Sequence, residues 1–253
     1  MPRPLALALA ATFTLAGTAG CGADRQGDGY SKTTASGSGH ATSSRATASH
    51  ATTASTPPPA PRPRQVSCKR VPAPRPRTAE KLPAPTNRLD AGATWLVNVA
   101  TSCGTFAITL DVKRAPKTTS SFAWLVRLGF YDGLTFHRVV PGDLVQGGDP
   151  RGDGSGGPGY HTVERPPGNL RYTRGIVAMG KTEIDDPGTA GSQFFIVTGP
   201  DAQLDPDYAL VGRVTSGMDT VDRIAVLPAD PNTDAPQQPV VIDSMRVVQV
   251  KGR

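Results

Sequence analysis

The chain has 253 residues, of which 37% are hydrophobic and 19% charged, and its net charge is +6 at neutral pH. The excess of positive charge lies before residue 93. Residues 22–92 carry 11 Lys and Arg against 4 Asp and Glu, whereas residues 93–253 carry 15 against 17. Because a nucleic-acid-binding domain needs a basic patch on its folded part, this distribution argues against nucleic acid as a partner.

The first 21 residues have the pattern of an export signal. Arg3 supplies a positive n-region and residues 5–15 an apolar h-region, which is too short to span a bilayer as a helix. The stretch ends in T-A-G-C, which resembles a bacterial lipoprotein signal, although Thr18 stands where Leu is usual. We predict that Cys21 is lipidated and anchors the protein on the outer face of the cell membrane. Ordinary cleavage and secretion is the alternative.

Residues 22–92 form a predicted disordered spacer. Residues 22–56 are mainly Ser, Thr, Ala and Gly, and they contain too few large apolar residues to offset the entropy of folding. Residues 57–85 are rich in Pro and Arg, which predicts an extended polyproline II conformation. Their positive charge could hold them against an anionic membrane face or wall polymer, or they could be a solvated spacer with no partner.

The chain has three cysteines, Cys21, Cys68 and Cys103. If Cys21 carries lipid, an even number remains in an oxidising compartment. We therefore favour a disulfide between Cys68 and Cys103 over two unrelated buried thiols. On the chain-entropy model, closing this loop of about 35 residues would stabilise the fold by ~3–4 kcal/mol.

Residues 93–253 form the predicted folded domain, which begins with a hairpin. Apolar residues alternate on both sides of the turn Thr101–Gly104. Helices are predicted over Pro116–Leu128, with Pro at the first turn, and over Met218–Val226. Further strands are predicted over Leu134–Val140, Leu144–Gly147, Gly175–Gly180, Gln193–Thr198, Ala209–Val214 and Val240–Val250. Many short strands with only two helices predict an all-β fold, a closed β-barrel.

Two apolar segments, which together contain three of these strands, carry polar side chains that a core does not normally hold. Arg138 and Gln146 lie in F-H-R-V-V-P-G-D-L-V-Q-G-G-D-P (136–150), and Gln193 lies in G-S-Q-F-F-I-V-T-G (191–199). Since burying such groups without partners is costly, their presence indicates a binding or catalytic surface. The set contains no evident nucleophile, metal cluster or acid–base pair.

Residues 94–250 resemble the cyclophilins, the peptidyl-prolyl cis–trans isomerases. The motifs of the family occur in its order and spacing: F-Y-D-G-L-T-F-H-R-V-V-P-G (130–142), Q-G-G-D-P (146–150), G-I-V-A-M-G (175–180), S-Q-F-F-I (192–196) and L-D-P-D-Y-A-L-V-G-R-V (204–214). The resemblance implies an eight-stranded antiparallel barrel capped by two helices. It also implies isomerisation of X–Pro bonds in extended polypeptides without cofactor or metal, and we expect a monomer.

The resemblance also assigns roles to single residues. Arg138, which alone would be read as an exposed strand residue, is the catalytic arginine, and Gln146 orients that arginine and the substrate carbonyl. His137 is expected to face away from Arg138 as a structural residue. The implied substrate-binding residues are Leu144, Met179, Phe195 and Leu204 around the proline ring, Gln193, Gly180 and Lys181 along the peptide backbone, and Tyr208.

At four positions in or beside the predicted site, the chain has a residue that differs from the one common in the family. Asp143 stands where Phe is common, Lys181 where Asn is, Gln203 where Trp is and Tyr208 where His is. Asp143 could lower activity or favour basic residues beside the proline, and Gln203 is expected to weaken cyclosporin-type inhibitors.

Isomerisation that speeds the folding of exported proteins is the function that this sequence favours. One alternative is a catalytically weak chaperone or scaffold that binds Pro-containing peptides. Another is a wall-associated structural protein that has kept the fold without the activity.

Overall fold

A computed structural model of the protein describes residues 67–78 and 81–250. The predicted signal, Cys21 and most of the predicted spacer lie outside the described residues. Within the described ranges, no helix is both long enough and apolar enough to cross a membrane.

Ten strands and two helices follow one another along this part of the chain. The strands are β1 (Thr94–Thr101), β2 (Gly104–Leu110), β3 (Thr135–Val140), β4 (Leu144–Asp149), β5 (Thr162–Val163), β6 (Ile176–Met179), β7 (Thr189–Ala190), β8 (Phe194–Val197), β9 (Leu210–Ser216) and β10 (Val240–Val250). The helices are α1 (Pro116–Arg127) and α2 (Met218–Ala225). The predicted elements agree with these to within two residues. Only β5 and β7 were missed, because two residues are too few to show a periodic pattern.

Eight of the strands close into an antiparallel barrel, in the order β1–β10–β3–β4–β8–β6–β9–β2, which confirms the predicted fold. Alternate side chains point into the barrel, since successive residues of a strand face opposite sides. The interior is aromatic and fully buried, and Phe194 meets Phe122 of α1 edge to face with 5.5 Å between the ring centroids. The two short strands β5 and β7 pair only with each other.

The helix α1 begins where two separate parts of the chain meet. Pro116 occupies its first turn, where a missing N–H costs nothing. The Glu164 carboxylate accepts hydrogen bonds from the backbone N–H groups of Lys117 (3.0 Å) and Thr118 (2.7 Å). A carboxylate at a helix N-terminus satisfies free donors and opposes the helix dipole. This contact holds the helix against the loop that precedes β6.

Residues 67–78 and 81–92, which we call the strap, precede the barrel and contain no helix or strand. The predicted disulfide between Cys68 and Cys103 is present and ties the strap to the β1–β2 turn. The strap also donates backbone hydrogen bonds from Lys69 to Ser102 O (2.8 Å) and from Leu82 to Pro158 O (2.9 Å).

The extended form of the strap agrees with its Pro-rich composition, but its packing differs from the disordered spacer that we expected up to residue 92. Leu89 is buried in the main core, and Leu82 is half-buried against it. The disulfide and these local contacts supply the order that the composition of the segment does not.

Candidate active site

Strand pairing brings the polar and apolar candidate residues together on one face of the sheet. Arg138 lies opposite Gln146 across β3 and β4, and Gln146 lies opposite Phe195 across β4 and β8. Phe195 in turn lies opposite Ala178 of β6. Because directly opposed residues of antiparallel strands share a face, these four side chains form one row across four strands.

Arg138 reaches this face because β3 is irregular at His137. Phe136 pairs with Gly147 and Arg138 with Gln146, so His137 is an extra residue with no opposite partner. Strict alternation would put Phe136 and Arg138 on the same side. The bulge instead sends Phe136 into the interior, at 0% exposure, and leaves the Arg138 side chain 41% exposed.

His137 occupies the bulge, and its side chain is partly buried. Both of its ring nitrogens are buried, and neither has a hydrogen-bond partner among the described residues. Burial lowers the pKa of His137, and the nearby Arg138 lowers it further, while Asp149 acts in the opposite direction. A histidine in this state fits the structural role that the sequence suggested.

Arg138 is held in place by a residue that the sequence did not indicate. Its Nε donates a hydrogen bond to Asp234 Oδ2 at 3.1 Å, and the two side chains form an ion pair. Asp234 is itself fixed, because its N–H donates to Asp230 O and its carbonyl accepts from Val139 N, each at 2.8 Å. Within residues 67–78 and 81–250, the Arg138 guanidinium makes no other hydrogen bond, so its two Nη groups remain able to meet a substrate.

Gln146 hydrogen-bonds Gln193, and no hydrogen bond joins it to Arg138 among the described residues, so its role in orienting the arginine stays a prediction. Gln193 Nε2 donates to the carbonyls of Gly154 (2.8 Å) and Gly156 (3.0 Å). Since both of these partners are acceptors, they fix the direction of the Gln193 amide. Its Oε1 then accepts from Gln146 Nε2 at 2.9 Å. Asp234 is the hydrogen-bond partner of Arg138, and the two glutamines form a pair beside the arginine.

An apolar slot, defined by Leu144, Ala178, Phe195, Leu204 and Tyr208, adjoins the glutamine pair. These residues belong to a second hydrophobic cluster that is distinct from the barrel interior. Tyr208 and Phe195 meet edge to face, with ring centroids 5.4 Å apart. Leu204 and Tyr208 are only half-buried, so this side of the cluster is partly exposed to solvent. The slot offers a small ring the apolar walls that it requires.

Met179 does not belong to this slot, contrary to our assignment. It is 1% exposed and packs in the barrel interior, where it pairs with Phe194. Its neighbour Ala178 packs with Phe195 instead. Successive residues of β6 face opposite sides of the sheet, so only one of the two can reach the slot.

Asp143 places a carboxylate immediately before Leu144 of the slot. Partial burial raises the pKa of Asp143, while the positive charge of Arg138 acts to lower it. Within the described part of the chain, the carboxylate makes no ion pair and no hydrogen bond. It is therefore available to a cationic group on a bound peptide.

Gly180 and Lys181 line a cavity of about 200 Å³ together with both glutamines. The Gly180 N–H donates to Gln193 O at 2.8 Å, so this donor is not free for a peptide. Lys181 Nζ donates to the carbonyls of Thr182 and Asp185 and lies 5.5 Å from the centre of the Tyr208 ring. These contacts place Lys181 beside the slot.

Comparisons with known proteins identify relatives of residues 96–247, which match the family described as "Cyclophilin type peptidyl-prolyl cis-trans isomerase/CLD". The chain is 38% identical over 157 residues to peptidyl-prolyl cis-trans isomerase-like 1 of Neurospora crassa, covering 60% of this chain and 94% of that protein. It is also 38% identical over 167 residues to peptidyl-prolyl cis-trans isomerase B of Streptomyces anulatus, covering 58% and 93%.

Two solved structures of a cyclophilin-type isomerase from Cryptosporidium parvum share the fold. The first has a TM-score of 0.57 and 29% identity, and it covers 63% of this chain and 99% of that one. The second was determined in the presence of the dipeptide Ala-Pro and has a TM-score of 0.56, 30% identity and coverage of 62% and 99%.

Proposed function

The chain belongs to the cyclophilin-type peptidyl-prolyl cis–trans isomerases, and from this premise we propose that it catalyses X–Pro rotation in extended segments of exported proteins. The activity follows from the family. The placement outside the membrane rests on the sequence of residues 1–21 and on the disulfide between Cys68 and Cys103, because disulfides persist in oxidising compartments.

The reaction requires no bond to be broken. Amide resonance gives the X–Pro bond a rotation barrier of ~18–20 kcal/mol, and uncatalysed exchange takes tens to hundreds of seconds. In the twisted state resonance is lost, and the prolyl nitrogen becomes a hydrogen-bond acceptor. A fixed cationic donor that meets this nitrogen stabilises the twisted state more than either planar state, and this difference accelerates the rotation.

Arg138 is the residue that can act as this donor. Asp234 holds its Nε edge, which leaves the Nη edge for the substrate. The slot receives the proline ring, and Gln146 lies between the arginine and Phe195 in the row across the strands. The observation that carries the proposal is an arginine held by a carboxylate on the same face as a partly exposed apolar cluster.

A protease-coupled assay with an Ala-Pro peptide tests the catalytic role. We expect Arg138→Ala to lower kcat/KM by about 100-fold, as for removal of one donor to a transition state. Arg246→Ala is the matched control, because Arg246 is an exposed arginine of β10 that forms an ion pair with Asp132. It should retain activity. Equal activity in wild type and Arg138→Ala would refute the assigned role.

A peptide-binding chaperone is the second candidate. The Asp143 carboxylate beside the slot favours this second function, because a charged group then takes the place of part of an apolar wall. If the wild-type protein binds an Ala-Pro peptide but does not accelerate its isomerisation, this second function stands and catalysis is rejected.

The proposed location has its own test. We propose that Cys21 carries the lipid and that the mature protein is a monomer anchored on the outer face of the membrane. Expressed in a bacterial host, the wild-type protein should incorporate labelled fatty acid and partition with membranes. Cys21→Ser should do neither, with Cys68→Ser as the control. Release of the unlabelled wild-type protein into the medium would favour secretion instead.

A further inference from the structure

The strap contacts both ends of one loop of the active site. Arg77 N donates to Pro150 O at 2.8 Å, and Leu82 N donates to Pro158 O at 2.9 Å. These two carbonyls bound the segment 150–158, which we call the glycine loop. The strap lies before the residues that match the family, which begin at residue 96. Its role therefore does not follow from membership of the family.

The glycine loop carries the acceptors that fix Gln193. The carbonyls of Gly154 and Gly156 accept both hydrogen bonds from the Gln193 amide, and Gln193 in turn holds Gln146. Gly152 and Gly154 have positive φ angles of 74° and 85°, which glycine adopts without strain. A loop of this composition has high conformational freedom, so external contacts are needed to fix its carbonyls.

Several internal contacts restrain the middle of the loop, among them Asp153 Oδ1, which accepts hydrogen bonds from Ser155 N at 2.9 Å and from Ser155 Oγ at 2.5 Å. The buried Asp149 carboxylate accepts hydrogen bonds from Arg151 N at 2.8 Å and from Gly154 N at 2.5 Å. The contacts at its two ends, Pro150 and Pro158, come from the strap. The loop is thus held from inside by Asp149 and from outside by Arg77 and Leu82.

The strap is itself anchored well away from the glycine loop. At its start, the disulfide and the hydrogen bond from Lys69 N to Ser102 O fix it to the β1–β2 turn. Near its end, Leu89 N donates to Ser120 Oγ of α1 at 2.9 Å. Between these points the strap spans the loop, and its position is set by other elements of the barrel.

The strap meets the loop through few contacts. A cavity of about 240 Å³ separates residues 73–76 from His137 and from the start of the loop at Asp149–Gly152. Because apolar packing is incomplete there, the attachment depends on Arg77. Its guanidinium donates to Phe130 O and lies 5.2 Å from the centre of the Phe130 ring. Loss of this one residue should release the strap from the start of the loop.

We propose that the strap is a positioning element of the isomerase site, with Arg77 and Leu82 as its positioning residues. It fixes the glycine loop and, through the Gly154 and Gly156 carbonyls, the Gln193–Gln146 pair that contacts the peptide backbone. The disulfide between Cys68 and Cys103 sets how firmly it does so. This inference rests on the proposed function, because it assigns the glutamine pair to a bound peptide.

The inference predicts which kinetic constant changes. Arg138 and Asp234 have no contact with the glycine loop, so the rotation step itself should be preserved. Peptide binding should weaken, because the glutamine pair loses its fixed orientation. One hydrogen bond of average strength corresponds to about a three- to tenfold change, and we expect this in KM with kcat within about twofold.

The experiment uses the full-length oxidised protein with substitutions in the strap. Arg77→Ala removes the side-chain anchor to Phe130 but keeps the backbone N–H that binds Pro150, and Arg77→Lys keeps both the positive charge and this N–H. Leu82→Pro removes the N–H that binds Pro158, whereas Leu82→Ala is the matched control that keeps this N–H. We would measure KM and kcat for an Ala-Pro peptide, the side-chain amide signals of Gln193 by ¹⁵N NMR, and the unfolding temperature.

The expected result is a raised KM and a shifted Gln193 amide signal in Arg77→Ala and in Leu82→Pro. Arg77→Lys and Leu82→Ala should lie close to wild type. A lowered unfolding temperature with KM and the Gln193 signal unchanged in both disruptive variants would overturn the proposal and leave a purely stabilising strap. Since Arg77 and Leu82 are tested separately, failure of one variant to fold leaves the other to decide.

Failure of the proposed function would be seen differently. If the wild-type protein does not accelerate isomerisation, the catalytic role is lost, but the NMR signal still reports on the strap. An unchanged Gln193 signal in the folded variants then overturns the positioning role, and a shifted signal supports it.

Discussion

The barrel and the strap are both ordered, but they are ordered by different forces. The barrel buries an almost continuous set of apolar side chains, with Phe194, Phe136 and Ile108 at 0% exposure. The strap buries one side chain, Leu89, and otherwise depends on a disulfide, on hydrogen bonds to its surroundings and on the contact of Arg77 with Phe130. The barrel therefore stabilises itself, whereas the strap takes its conformation from the barrel.

This difference extends to the active site. Arg138, Gln146 and Phe195 are placed by the register of barrel strands, which is fixed by the buried face of the sheet. Gln193 lies immediately before β8, but its side-chain amide is oriented by the glycine loop, and the strap holds the two ends of this loop. We expect the arginine to respond to changes in the barrel and the glutamine pair to respond to changes in the strap.

The largest effect should come from the barrel interior. Phe194→Ala removes a ring that contacts Phe122, Tyr131 and Phe136, and it should lower the free energy of unfolding by about 3–5 kcal/mol. Denaturant unfolding measures this change. In the strap, Leu89→Ala is the comparison, and a loss as large as that of Phe194→Ala would contradict the view that the strap depends on the barrel.

Removing the disulfide tests the strap directly. The double variant Cys68→Ser/Cys103→Ser should lose about 2–4 kcal/mol of stability. Without the cross-link, the unfolded chain has a higher conformational entropy. Hydrogen exchange should rise at Lys69 and Arg77 and stay slow in the barrel strands. An equal loss of protection from hydrogen exchange in β4 and β8 would show that the strap and the barrel lose their order together.

Changing Asp234 tests how the arginine is placed. Asp234→Ala removes the acceptor of Arg138 Nε, and we expect kcat to fall by about tenfold, equivalent to about 1.4 kcal/mol, with little change in KM. Asp234→Asn, which keeps an oxygen acceptor, should recover part of the loss. If KM alone changes, Asp234 acts on peptide binding and not on the arginine.

Asp143 should give the smallest effect, in substrate preference. Peptides with Lys beside the proline should have a kcat/KM about two- to threefold above peptides with Glu, as expected for a partly exposed charge pair. Asp143→Asn should remove this preference. A preference that survives in Asp143→Asn would assign it to another group.

The pH dependence of this preference has a defined sign. Burial raises the pKa of Asp143, so its carboxylate becomes protonated at a higher pH than an ordinary aspartate. The preference for Lys should therefore fade as the pH drops through this raised pKa. The folded state also binds the proton more tightly than the unfolded state, so this group makes stability decrease as the pH rises through the same range. Asp143→Asn should remove both dependences.

The barrel and much of its site could be predicted from the sequence. Alternating apolar residues identified the strands, and polar residues within them, Arg138, Gln146 and Gln193, identified the functional face. Met179 shows the limit of motif reading. Because successive residues of a strand face opposite sides, one of Ala178 and Met179 must point into the barrel. The motif alone does not say which of the two does so.

Asp234 and the strap could not be found in this way. Asp234 lies 96 residues from Arg138 in the chain, and no periodic pattern connects a loop aspartate to a distant arginine. The strap has the composition of a disordered segment, and local composition does not register contacts that a segment makes with a core elsewhere. A predicted disulfide was the single sign in the sequence that it is held.

The amino-acid sequence by itself determined the closed barrel, the family and the arginine, because these depend on periodic burial and on side chains within continuous motifs. The tertiary structure alone decided which carboxylate holds Arg138, which partner holds Gln146, and how the strap meets the glycine loop. These contacts join residues far apart in the chain, and they exist only once the barrel has brought its loops together.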